Sequence, residues 1–284
     1  MESIAPTELG RAGAAKEARD RITERTHVLG MNPLRSVARL RLWERREDPT
    51  AGYLGTCFSY RWQNRLVTAA HCVAGLEPSE VAVETPWLPG FMMTALEIHR
   101  HPTADIAVLE TGGIQVAGAE VQPFWGTVGN WSLGEKFFAY GYPVDVLGPS
   151  ANLPTPRLFT GYFQRFMQDY EAYTGYRYLA GEMSFACPAG LSGGPLFRPG
   201  AQVMVVALAT ENLKSATTLE SFEERTKDGK STRVEYREVI SYGTALMLSN
   251  VSDWLDSYCP PRESYIVPAS LAHAGPHSPD SKSS

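Results

Sequence analysis

The chain has 284 residues, of which 43% are hydrophobic and 20% charged, and its formal net charge is −5. That length and composition suit a globular protein with a sizeable core, arranged as one large domain or two smaller ones. The acidic balance gives no electrostatic reason for a nucleic-acid partner, and no apolar run approaches the ~18 residues of a membrane-spanning helix, so no membrane is expected either.

Residues 1–30 are rich in Ala, Glu, Arg and Lys. The run from Leu9 to Leu29 reads as helix interrupted by Gly10 and Gly13, with apolar positions too sparse for a deep core face. These residues are expected to form a charged helical or disordered leader. They hold no apolar stretch of the kind a secretory signal needs, which makes a cytoplasmic location the expectation.

From residue 31 to 115 the pattern switches to short strands. Ala38, Leu40 and Leu42 alternate with Arg39 and Arg41, the period-2 signature of a half-buried strand. Further strands are read over 53–60, 65–68, 80–84, 91–99 and 105–110. Six short strands separated by turn residues imply an antiparallel barrel. Residues 116–134, with several glycines and Pro123, read as a linker. A second strand series occupies 135–262, at 136–142, 157–167, 176–185, 195–197, 202–210 and 242–248. Val203 to Ala209 is almost wholly apolar, as a strand buried on both faces should be. Residues 219–239 are charge-rich and contain Lys227-Asp228-Gly229-Lys230, a hairpin-turn signal, so a solvated, protruding hairpin is expected there. Residues 250–258 read as a short helix with Val251, Trp254 and Leu255 inward. Residues 263–284, dense in Pro, Ser, Ala and His, read as a disordered tail. The fold class is therefore all-β: two packed antiparallel barrels of six strands and a short C-terminal helix.

Three motifs carry chemistry. Residues 190–195, Gly-Leu-Ser-Gly-Gly-Pro, set the Ser192 hydroxyl among three glycines, where the backbone can turn tightly and a substrate can approach. A serine is a weak nucleophile alone. It needs a histidine to take its proton and a carboxylate to orient that histidine. Thr68-Ala69-Ala70-His71-Cys72 supplies His71, and Asp105-Ile106-Ala107-Val108-Leu109 supplies Asp105. The separations, 105 − 71 = 34 and 192 − 105 = 87, leave room for one barrel around the first pair and another around the serine. Residues 190–194 also satisfy the Gly-x-Ser-x-Gly elbow, but that arrangement needs its acid and histidine after the serine. Only His273 and His277 follow Ser192, both in the expected tail.

In the order His, Asp, Ser, these motifs resemble the active-site signatures of the trypsin/chymotrypsin-like serine peptidases, of the bacterial, non-zymogen type. The resemblance covers about residues 36–258, with close matches at the three motifs and the terminal helix. It implies a chymotrypsin-like pair of Greek-key barrels and a serine endopeptidase acting on protein or peptide substrates through an acyl-enzyme. It assigns His71 as general base and acid, Asp105 as its orienting partner and Ser192 as nucleophile, with the backbone N–H groups of Gly190 and Ser192 as oxyanion hole. It places the base of the primary substrate pocket at Ala186, with Thr210 and Glu211 on the adjoining wall. Trypsin-like members carry an acidic residue at the Ala186 position. Without one, a small or apolar side chain is expected there, with Glu211 as the group that would admit a basic one. Leu191 stands where secreted members carry the aspartate that pairs with a freed N-terminus. Residues 1–30 are thus not expected to be an activation peptide, and control is expected by another route, such as an activating partner protein that reshapes the cleft loops. Two readings from other classes use the same residues: a catalytically silent double-barrel binding module, and an esterase-like acyl hydrolase.

Cys57, Cys72, Cys187 and Cys259 allow three full pairings. The resemblance matches Cys57 and Cys72 to a disulfide of secreted relatives, whereas in a reducing cytosol such residues stay buried thiols, which is the expectation here. His99 and His101 could share a strand face as a metal pair, but no third ligand has suitable spacing and no Cys-x-x-Cys exists. No metal and no cofactor are expected.

Overall fold

The computed structural model describes residues 35–47, 51–85, 91–112, 123–126, 131–144, 155–198, 204–225 and 231–261. The expected leader at 1–30, most of the linker at 116–134, the turn at 226–230 and the tail at 263–284 lie outside the described residues.

Six strands, β1 (Val37–Leu42), β2 (Tyr53–Ser59), β3 (Arg65–Thr68), β4 (Val81–Glu84), β5 (Met92–Arg100) and β6 (Ala107–Thr111), close an antiparallel barrel in the order β1-β2-β3-β6-β5-β4. Closure leaves no free strand edge. Val37, Leu40, Phe58, Val67, Val83 and Leu109 fill its interior with no exposed surface, each such side chain contributing on the order of 1.5–3 kcal/mol by burial. The half-buried reading of β1 needs correction. Arg39 and Arg41 are also buried, because Glu84 on β4 pairs with Arg39 and lies 3.6 Å from Arg41 Nη1. Arg41 Nη2 also donates to the carbonyls of Arg45 (2.9 Å) and Ala51 (3.0 Å). A buried guanidinium is tolerated only when paired in this way.

The second sheet comprises β7 (Trp125–Gly126), β8 (Lys136–Gly141), β9 (Arg157–Glu171), β10 (Arg177–Met183), β11 (Pro195–Arg198), β12 (Met204–Arg225) and β13 (Ser231–Met247), ordered β11-β8-β9-β10-β13-β12-β7. An additional β11–β12 pairing closes six of these strands into the second barrel. β7 sits within the residues read as linker and runs parallel to β12. The hairpin expected at 219–239 is part of a longer ribbon. β12 and β13 pair from Ala207↔Met247 out to Arg225↔Ser231, and beyond residue 213 they pair only with each other among the described residues. Twelve such residues reach ~40 Å.

A 3-10 turn (Leu248–Val251) leads into the short helix α1 (Ser252–Tyr258), which crosses back to the first barrel. The last carbonyls of a helix lack partners within it. Here Arg65 Nε donates to the Tyr258 carbonyl (3.1 Å), Arg61 to that of Cys259 (2.7 Å) and Trp62 Nε1 to that of Pro260 (2.7 Å). No helix among the described residues is long and apolar enough to cross a membrane.

Candidate active site

The three motifs converge where the barrels meet. His71 lies in a 3-10 turn (Ala70–Val73) directly after β3, and Asp105 lies in the loop that leads into β6. That loop is organised by His101. Its Nδ1 accepts the backbone N–H groups of Thr103 (3.1 Å) and Ala104 (2.8 Å), and its own N–H donates to the Ile106 carbonyl (3.0 Å). The His101 ring meets Trp254 of α1 edge-on at 5.1 Å, and burial lowers its pKa. A neutral ring is what a two-bond acceptor at Nδ1 requires.

Asp105 is wholly buried and holds His71 twice: Oδ1 accepts the His71 backbone N–H (2.9 Å) and Oδ2 lies 2.7 Å from Nδ1. That contact fixes the ring and gives Nδ1 the proton, leaving Nε2 as the basic nitrogen. Burial disfavours the imidazolium, but the Asp105 hydrogen bond, with contributions from Cys72, outweighs it and raises the His71 pKa above the ordinary 6.5.

Ser192 is held from both barrels. Its carbonyl accepts the N–H of Thr56 on β2 (2.8 Å), and its Oγ donates to the carbonyl of Thr210 on β12 (2.6 Å). Residues 188–191 form a turn closed by Leu191 N–H to the Pro188 carbonyl (3.0 Å), with Gly190 at φ +87°. Positive φ at the third position marks a type II turn. The Ala189 carbonyl accepts from Val144 N–H at 2.8 Å. Because a trans peptide points its C=O and N–H in opposite directions, this contact turns the Gly190 N–H away from Val144. Among the described residues neither that N–H nor the Ser192 N–H has an acceptor. Thr56 secures the turn, its Oγ1 donating to the Gly190 carbonyl (2.7 Å) and accepting the Tyr142 N–H (3.1 Å). Gly193 (φ +85°) must be glycine, since a Cβ there would lie 2.0 Å from the Thr56 carbonyl oxygen. Leu191 is fully buried in the second barrel's core with Phe137, Ala139 and Leu196.

A family model, the trypsin-like peptidase domain, matches residues 55–208, more than half of the chain and all three motifs. The chain belongs to that family. Solved structures with the same fold include the active form of the Rv3671c protease from M. tuberculosis (18% identity, 78% of this chain and 80% of that one, TM-score 0.51). The HtrA-type protease AlgW with a tripeptide is another (16% identity, 84% and 63%, TM-score 0.52). The MamO protease domain from Magnetospirillum magneticum is a third (15% identity, 81% and 97%, TM-score 0.50). No curated protein matches in sequence. The chain is a serine peptidase with the chymotrypsin-like fold.

The expected substrate-side residues of this peptidase, Ala186, Thr210 and Glu211, have different surroundings. Ala186 is exposed, and its neighbour Cys187 is buried. Cys187 Sγ lies 4.0 Å from the Thr210 carbonyl, and burial pushes its thiol pKa up to about 12. Thr210 is wholly buried, its Oγ1 accepting from Tyr178 (3.0 Å) and donating to Thr244. Glu211 turns toward the β9–β10 connection, where Oε1 accepts Tyr170 O–H (2.9 Å) and Tyr173 N–H (3.0 Å). It is thereby committed away from Ala186.

All four cysteines are free and buried. The Cys57–Cys72 match is a misalignment. Cys57 Sγ faces the Ala38 carbonyl (3.7 Å), and a Cβ on Gly55, not Cys57, would meet Cys72 Sγ (2.6 Å). His99 and His101 do not converge either. His99 Nε2 lies 3.1 Å from Glu110 and 3.4 Å from Glu97, and its ring stacks on Tyr258 at 4.3 Å. Among the described residues Glu97, His99 and Glu110 are the grouping able to ligate a cation, with carboxylates that the β5–β6 pairing brings together across the sheet. Arg65, 2.5 Å from Glu110 Oε2, already supplies a positive charge there.

Proposed function

We propose that the chain hydrolyses peptide bonds through His71, Asp105 and Ser192 by way of an acyl-enzyme. The observation that carries this is the pair of hydrogen bonds that His71 donates to buried Asp105, which leaves Nε2 as the ring's basic atom. In the free state the Ser192 hydroxyl donates to the Thr210 carbonyl. The mechanism needs the hydroxyl to leave that carbonyl by rotation about its Cα–Cβ bond, between staggered positions, and to turn to Nε2. His71 then takes the proton as Ser192 Oγ attacks the substrate carbonyl, and returns it to the departing amine. Water repeats the sequence on the acyl-enzyme. The charge that develops on the carbonyl oxygen is received by the N–H groups of Gly190 and Ser192, and the Val144 and Thr56 contacts support that assignment by pinning the turn in advance. The intact set of three groups weighs against a silent binding module, which has no chemical use for Asp105 beneath His71.

Protein or peptide substrates are part of this reading, as is control by a partner protein that reshapes the cleft loops. Residence in a reducing compartment is proposed from the four unpaired thiols. Steady-state kinetics on a peptide library test the mechanism. Ser192→Ala and His71→Ala should each remove turnover, and the double variant should lose little more, because the groups act as a unit. Turnover retained by Ser192→Ala would refute the proposal.

A further inference from the structure

Both Asp105 carboxylate oxygens face His71, and among the described residues they take a hydrogen bond from no other residue. The aim of that carboxylate is therefore set by the backbone beneath it. Asp105 stands at the centre of a tight turn: the Ile106 N–H donates to the Ala104 carbonyl at 2.8 Å, which closes 104–106 as a γ-turn. Both ends of the turn meet one residue, His101. Its Nδ1 accepts the Ala104 N–H (2.8 Å) and the Thr103 N–H (3.1 Å) on the entering side. Its backbone N–H donates to the Ile106 carbonyl (3.0 Å) on the leaving side. Ala104, Asp105 and Ile106 are buried, so a backbone group freed there is costly to leave unpaired. Trp254 of α1 meets the His101 ring edge-on at 5.1 Å and holds its orientation. The second barrel adds one contact, from the Arg177 N–H on β10 to the Thr103 carbonyl (2.8 Å).

We propose that His101 is a positioning residue of the triad: by tying both ends of the γ-turn, it fixes the direction in which Asp105 presents its carboxylate to His71. The inference rests on the Ser192 mechanism above and adds a fourth side chain to it, one that touches neither the substrate nor the reacting atoms. Displacing a catalytic group by ~1 Å can cost ~10²-fold in rate. It also changes the base. Burial lowers the His71 value and the Asp105 hydrogen bond raises it, with the bond prevailing; Asp105 and Cys72 are the titratable groups that act on the ring. A carboxylate that wanders weakens that bond and lets the His71 value fall back toward 6.5.

The test uses the full chain and an alkyl fluorophosphonate, whose rate of reaction at Ser192 is followed across pH by mass spectrometry. Each profile yields a limiting rate and a midpoint set by His71. Asparagine carries an acceptor oxygen on Cγ, where histidine carries Nδ1, and accepts N–H groups two and three residues further on in the same way. His101→Asn should keep the midpoint and hold the limiting rate within about threefold, although it loses the ring's contact with Trp254 and some stability in urea. His101→Leu has no acceptor, and should lower the limiting rate ~10–100-fold and move the midpoint down. His101→Gln, whose oxygen hangs one carbon farther out, should follow Leu and supplies the contrast if Leu does not fold. A merely structural role makes the rate follow stability; positioning makes it follow the acceptor. Asn as slow as Gln, or a folded Leu or Gln variant with the wild-type rate and midpoint, would overturn the inference. A wild type that is not labelled at all would instead refute the Ser192 mechanism, and the inference with it.

Discussion

An alanine at position 190 would carry its methyl carbon 2.5 Å from the Tyr142 carbonyl oxygen and 3.1 Å from the Val144 nitrogen, with φ at +87°. Both neighbours are backbone, so neither moves aside cheaply. The left-handed conformation adds ~1–2 kcal/mol for any residue with a Cβ. The least costly relief is to flip the Ala189–Gly190 peptide, which converts the type II turn to type I and returns residue 190 to negative φ. That flip breaks the Val144 N–H contact to the Ala189 carbonyl (2.8 Å) and turns the residue 190 N–H out of the site. Losing one such donor costs ~10²–10³ in kcat. Gly190→Ala should therefore lower kcat by that factor with KM little changed, because the donor meets charge that exists only in the transition state. Peptide hydrolysis by Gly190→Ala and wild type, each first shown folded by near-UV circular dichroism and urea unfolding, measures this. A folded Gly190→Ala with kcat within about threefold of wild type would refute the reasoning.

Thr56→Val keeps shape but strands the Gly190 carbonyl and the Tyr142 N–H; a loss of about 2 kcal/mol in urea unfolding is expected, with a lower kcat. The raised His71 pKa sets the pH dependence: the base is the neutral ring, so kcat/KM should rise with pH through a midpoint above 6.5, and Asp105→Asn should move that midpoint down while cutting kcat by up to ~10⁴. By linkage, the stabilisation from protonated His71 is fully present below pH 6.5 and disappears as pH rises through the raised folded value, which urea midpoints of wild type and His71→Ala compared across pH would reveal. Leu191→Ala should cost ~2–5 kcal/mol through the cavity it leaves. A truncated chain starting at Met31 should match the full chain in kcat/KM; a large gain only on exposing a defined new N-terminus would contradict that.

The strands of both barrels were legible because alternation and turn residues are local properties. The three motifs were legible because their chemistry fixes residue types and order. What was not legible depends on contacts distant in sequence. Arg39 and Arg41 read as solvent-facing because their partner Glu84 stands on another strand. The full extent of β12 and β13 carries no apolar repeat, since their outer halves pair only with each other among the described residues. Thr56 belongs to no motif, yet it joins Gly190, Tyr142 and Ser192 across the barrel interface. The cysteine match failed for a similar reason: Cys57 lies two residues beyond Gly55, the position that faces Cys72.

The central claim is that Ser192 is a nucleophile activated by His71 on Asp105, and covalent labelling tests it most directly. Full-length protein would be treated with an alkyl fluorophosphonate, digested and analysed by mass spectrometry, beside Ser192→Ala and His71→Ala. The account predicts one stoichiometric adduct on the peptide containing Ser192, its absence in Ser192→Ala, and a rate reduced by orders of magnitude in His71→Ala. No adduct on the folded wild type, or equal labelling of wild type and Ser192→Ala, would contradict it.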